Sequence, residues 1–111
     1  MKPLPPSIRE KKRYLKFKVH AERDVEFGEI ADAIWNSSLN YLGSKKTGEA
    51  NHWLIKNQFD KEKQTGIIKV ERSLLDDFRS SIALIDEIGD KNGFIEIQRV
   101  SGSIKKLKNN S

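Results

Sequence analysis

Two groups of cations, one near each end of the 111-residue chain, are the side chains best suited to chemistry. The first is Arg9, Lys11, Lys12 and Arg13, just behind Pro3, Pro5 and Pro6; the second is Lys105, Lys106 and Lys108. Proline fixes φ and removes a backbone donor, so residues 1–12 read as an extended arm that neither helix nor sheet absorbs. A stiff basic arm rooted on a strand lays charge along a polyanion, and RNA suits it best. The plainer alternative is a solvated terminus, because charged runs usually lie on surfaces. Residues 1–18 hold seven basic groups against Glu10 alone, and residues 99–111 hold four with no acid. The whole chain is only +5, so the segment between the ends is net acidic and the excess positive charge sits at the ends.

Groups for catalysis are sparse. His20 and His52 fit no metal-ligand spacing, and each is expected on the wet face of a strand. Ser37-Ser38 and Ser80-Ser81 fall on helices with no nucleophile elbow around them. Asp76-Asp77 suit the positive end of a helix, and Asp86-Glu87 read as a solvated face. There is no cysteine, hence no disulfide or thiolate metal site, which fits a reducing compartment. No catalytic residue, metal site or bound cofactor is predicted for this chain.

The elements that must position the cations follow from periodicity. A strand is predicted over 13–20, with Leu15, Phe17 and Val19 inward and Lys16, Lys18 and His20 outward. A helix over 25–42 is expected to start from Asp24 as N-cap and to end at Gly43. Its apolar positions include Phe27, Ile30, Ala31 and Ile34. Strands over 52–59 and 66–72 flank a charged turn, Asp60–Gln64. A second helix is predicted from Ser73, capped together with Asp76, with Leu75, Phe78, Ile82 and Ile85 as its stripe. A turn over 89–93 leads to a last strand, 93–100, and then a basic tail, 101–111.

This β-α-β-β-α-β order predicts one α+β domain over 1–111, a ferredoxin-like or RRM-like sandwich. Both helices are expected on one face of a four-stranded antiparallel sheet with strand order 4-1-3-2. The first and last strands are then neighbours, and arm and tail meet at one end of the sheet. Hydrophobic residues make up 36% and charged residues 33%, so the core should be lean and the surface strongly ionised. Apolar surface left on the first helix around Trp35 and Leu39 is predicted to contact protein. No apolar stretch reaches membrane-spanning length and no secretory signal is evident, so a soluble intracellular protein is expected. RNA-recognition motifs stack bases on aromatics in strands one and three. The third strand here has none, so phosphate contact by the charged ends is the expected mode.

The motifs also resemble those of the ribonuclease P protein component 2 family, which archaeal ribonuclease P shares with eukaryotic ribonuclease P and ribonuclease MRP. Residues 4–14 (LPPSIREKKRY) are similar to its N-terminal motif, and 100–105 (VSGSIK) to its C-terminal one. Segments 33–37, 42–43, 53–55, 66–68 and 79–85 fall in the family's order. The lysine-rich turn 60–64 is longer than the family norm, and the sequence ends soon after Leu107.

The resemblance implies an accessory subunit of the endoribonuclease that removes the 5′ leader of precursor tRNA. The RNA subunit, with magnesium ions, carries out that reaction. The implied partners are ribonuclease P RNA, a TIM-barrel-like component 3 protein and other ribonuclease P proteins, with self-association a further expectation. An archaeal cytoplasm is the implied location. Two rival classes on the same fold are a small ligand-binding regulatory module and a small hydrolase. Both would need a ligand loop after the first strand, where the chain reads Ala21-Glu22-Arg23-Asp24.

Overall fold

A computed structural model describes residues 11–109. Strand β1 (Lys12–Ala21) alternates buried Leu15, Phe17 and Val19 with half-buried polar positions, as its period-two pattern demands. It forms the centre of a five-stranded antiparallel sheet ordered β2-β3-β1-β5-β4. The other strands are β2 (Trp53–Leu54), β3 (Thr65–Glu71), β4 (Glu87–Ile88) and β5 (Lys91–Ser101). The helices are α1 (Phe27–Ala50), α2 (Leu75–Ala83) and α3 (Ile104–Asn109).

The four-stranded sheet expected from the sequence is therefore corrected to five. The predicted turn at 89–93 is a hairpin: β4 pairs with β5 across two residues, and Gly89 takes φ +64° at the first of them. Ile88 is fully buried, which anchors so short a strand. The basic tail also contains structure. Ser103 Oγ accepts the Lys106 N–H at 3.2 Å, starting α3, and Leu107 is buried.

Helix α1 starts later than expected. Val25 is fully buried, and the Gln64 side chain holds its backbone in place. Gln64 Oε1 accepts the Val25 N–H at 2.9 Å, while Nε2 donates to Val25 O at 3.2 Å and to Lys61 O at 2.7 Å. With residue 25 committed to that clamp, Glu26 rather than Asp24 becomes the N-cap, in a capping box with Glu29. The helix also runs past Gly43. That residue breaks it at φ 85°, ψ 170°, a region open essentially to glycine alone, and helix resumes beyond. Across the break the buried hydroxyls of Ser38 and Thr47 hydrogen-bond at 3.0 Å. Helix α2 begins at Leu75, after a 3-10 turn over Arg72–Leu74. The second predicted strand shrinks to two residues: Ile55 still donates to Ile67 O at 3.0 Å, but a 3-10 turn over Lys56–Gln58 then ends the pairing.

One face of the sheet carries the core. Leu15, Phe17, Val19, Ile68, Val70 and Ile95 pack with Ile30 and Ile34 of α1 and Phe78 and Ile82 of α2. Gly66 sits directly under Phe17, where a Cβ would come within 2.7 Å of the ring. Strand alternation sends Lys16, Lys18 and His20 of β1, Ile67 and Lys69 of β3, and Phe94, Glu96 and Arg99 of β5 to the other face. A bulge at Gln98 shifts the β1–β5 register between Lys16 and Phe17. Ile67 and Leu107 are buried apart from the main cluster. Helix α3, packed on β1 and β5, thus covers part of the second face near the start of β1.

Candidate nucleic-acid interface

The cations of the two chain ends are held by the β1–β5 pairing. Tyr14 lies opposite Ser101 and Leu15 opposite Val100, so the chain entering β1 runs beside the chain leaving β5. A Cβ on Gly102 would sit 3.8 Å from Arg13 Nη1. Helix α3, carrying Lys105, Lys106 and Lys108, follows at once and touches both strands. Lys11, Lys12 and Arg13 and the three α3 lysines therefore occupy one end of the sheet. Arg9 lies outside the described residues.

These cations are not equivalent. Lys11, Lys105 and Lys108 are exposed. Arg13 Nη1 donates to Lys12 O at 2.9 Å. Lys12 Nζ donates to Glu71 Oε1 at 2.7 Å, and Glu71 is buried. That pair ties β1 to β3 at their Lys12–Glu71 register and turns Lys12 largely to structural use.

Elsewhere, ion pairs hold the elements together. Lys91 Nζ reaches Glu29 at 2.9 Å and Asp90 at 3.2 Å, tying the β4–β5 hairpin to α1. The hydrogen bonds to Glu29 and Asp90 raise the Lys91 pKa above its ordinary value. A backbone hydrogen bond from Glu26, then the one from Lys91, lower that of Glu29. Lys61 pairs with Glu26 at 2.5 Å and Lys46 with Asp77 at 3.4 Å. By contrast Lys16, Lys18, Lys69 and Arg99, all on the second face of the sheet, make no ion pair among the described residues.

The two histidines have different surroundings. His20 stacks on Phe94 with centroids 4.8 Å apart and planes at 16°, and its Nε2 meets Glu96 Oε1 at 2.8 Å. His52, expected on a wet face, is half-buried between Trp35 and Phe78, at 5.5 and 4.9 Å. Its Nδ1 is buried without a partner, and burial lowers its pKa. No carboxylate orients either ring against a serine, and no set of three potential metal ligands converges among the described residues.

Trp35 is 48% exposed and lines an apolar groove with Phe27, Ala31, Trp53 and Leu54. Leu39, predicted to share its surface, is half-buried and lies outside that groove. What the sequence reading missed is Phe94. The inward parity of Ile95 and Ile97 places it outward, but in the last strand rather than in the first and third, where RNA-recognition motifs carry their aromatics.

The fold and the gathered cations define a small α+β protein built on an antiparallel sheet with one cationic end. A profile of the Rpp14/Pop5 family matches residues 13–111, and the chain belongs to that family. The ribonuclease P protein component 2 of Pyrococcus furiosus is 45% identical over 107 residues, 96% of this chain and 88% of the relative. That of Thermococcus gammatolerans is 39% identical over 105 residues, covering 95% and 86%. That of Methanocaldococcus jannaschii is 38% identical over 108 residues, covering 97% and 78%. A chain from the cryo-EM structure of yeast ribonuclease MRP shares the fold, with a TM-score of 0.67 over 90% of each chain at 15% identity. The likeness drawn from the terminal motifs thus extends through the body of the chain. No described helix is long and apolar enough to cross a membrane.

Proposed function

We propose that this chain is a protein subunit of ribonuclease P that binds the catalytic RNA and offsets its phosphate repulsion, supporting removal of the 5′ leader from precursor tRNA. The carrying observation is the meeting of Lys11 and Arg13 with the α3 lysines at one end of the sheet, in a chain of this family. Such contacts neutralise phosphates and fix orientation without reading bases. The bond-breaking step belongs to the RNA and its magnesium ions; this chain contributes position and charge. In this reading residues 1–111 act as one unit of ferredoxin-like, RRM-like descent, with β4 and α3 added to the βαββαβ frame. The cations acting on RNA are Arg9, Lys11, Arg13, Lys105, Lys106 and Lys108, with Lys12 in a secondary role.

The Trp35 groove suits a protein neighbour, for which the TIM-barrel-like component 3 is the candidate, and the setting is cytoplasmic. The test is reconstitution of precursor-tRNA cleavage from ribonuclease P RNA and its proteins, with and without this chain. Cleavage at lower magnesium concentration, or at higher rate, is expected only when the chain is present. Equal cleavage in its absence would overturn the reading.

A further inference from the structure

The second face of the sheet carries features that the cationic end does not explain. A trough of about 980 Å³ runs along it, with Lys16, Lys18, His20 and Phe94 in its floor. That is the upper end of the roughly 300–1,000 Å³ typical of ligand clefts, and it exceeds what one small group fills. Helix α3 contributes nothing to its lining. Phe94 is 54% exposed on this face. One side of the ring rests on His20, whose imidazole is itself held by Glu96. A ring supported on one side and open on the other is a stacking platform.

Charge is graded along the same face. Arg99 lies opposite Lys16 and Glu96 opposite Lys18, and the Cα atoms of the two lysines are roughly 6.5 Å apart along β1. Neither lysine has an acidic partner among the described residues, although four other lysines do. At the far end Glu22, Asp24, Asp60 and Glu62 line the trough beside Arg23 and Lys63, leaving that end net acidic. Lys16 and Lys18 are the basic part of the trough, so a polyanion is favoured over them rather than at the acidic end.

We infer that this trough binds a short single-stranded RNA segment, with a base stacked on Phe94 and the flanking phosphates on Lys16 and Lys18. A duplex is disfavoured because its bases are already stacked and cannot reach the ring. The inference rests on the RNA-subunit reading but assigns a site separate from the arm and α3.

The test is binding of the full chain to three probes across a salt series: a short oligouridylate, its abasic counterpart of equal charge, and a duplex. The wild type should bind oligouridylate more tightly than the abasic strand or the duplex. Phe94→Ala should weaken oligouridylate binding by roughly fivefold to a hundredfold, the range for one lost base–aromatic stack. It should leave the abasic probe unchanged, and Phe94→Trp should restore binding. Lys16→Ala and Lys18→Ala should each reduce the log–log salt slope by roughly 0.7. Equal wild-type affinity for the base-bearing and abasic strands would overturn the proposal even if a Phe94 variant misfolded. So would full oligouridylate binding by a folded Phe94→Ala variant, or binding lost only when Lys11, Arg13 and the α3 lysines are replaced. Those results leave the subunit reading intact, since it stands or falls on reconstituted cleavage.

Discussion

Replacing Lys12 with alanine should harm the fold more than RNA binding, whereas replacing its neighbours Lys11 and Arg13 should do the reverse. The difference lies in the partner. Lys12 Nζ sits 2.7 Å from Glu71 Oε1, and the two side chains are 27% and 8% exposed. Removing one member of a buried pair costs about 3–5 kcal/mol, because the other charge is left without compensation. Lys12 keeps part of its surface in water, so the expected loss is nearer 1–3 kcal/mol, as for one orphaned charged hydrogen bond. For a chain of this size that is about 4 °C or more of melting temperature per kcal/mol. The paired variant Lys12→Ala/Glu71→Gln should recover most of the loss, since no buried charge remains. Lys11→Ala/Arg13→Ala should melt like the wild type but lower the salt slope for folded ribonuclease P RNA by roughly 0.9 per lost duplex phosphate. Thermal and urea denaturation, with RNA binding at several salt concentrations, separate the two effects. A Lys12→Ala protein as stable as wild type, or no rescue by Glu71→Gln, would refute the reasoning.

Gln64→Ala should cost roughly 2–4 kcal/mol in urea denaturation, because it strands the buried N–H and C=O of Val25. Gly43→Ala should cost about 1–3 kcal/mol through backbone strain alone, since a Cβ there meets nothing within 4 Å. The His52 pKa is depressed when folded, so its contribution is full above the unfolded value of 6.5 and is lost as pH falls from there toward the folded value. Stability measured from pH 8 to 5 should therefore decline below about pH 6.5, the ordinary histidine value, with a shallower decline in His52→Phe.

Where a segment's apolar period was long, the sequence was a sufficient guide. β1, β3, β5 and α2 lie within a few residues of their predicted bounds, and the predicted adjacency of the first and last long strands is present. The failures trace to side chains acting at a distance. Nothing near Asp24 announces that Gln64, 39 residues beyond Val25, would take the backbone of Val25 and delay the helix. Gly43 reads as a stop because glycine usually ends a helix, yet helix resumes beyond it, with the Ser38–Thr47 bond spanning the break. β4 is two residues long, too short for any periodicity to register. For the interface, the two cationic segments were legible from charge alone, but their differing roles were not. Only the register of β1 on β3 reveals that Lys12 faces Glu71. The His20–Phe94 stack likewise joins residues that pair only once β1 and β5 are aligned.

The sheet ends on both sides in strands of only two residues, β2 and β4. An exposed strand edge is a template on which another chain can add by backbone hydrogen bonding, and short edges remove that template. The β2 border follows that rule. The opposite border does not: β4 covers β5 only at Lys91 and Asn92, so from Phe94 onward the outer margin of β5 has no neighbouring strand among the described residues. If another chain adds to this sheet by backbone pairing, that stretch of β5 is where it docks, and replacing an outward-edge residue there with proline would block it.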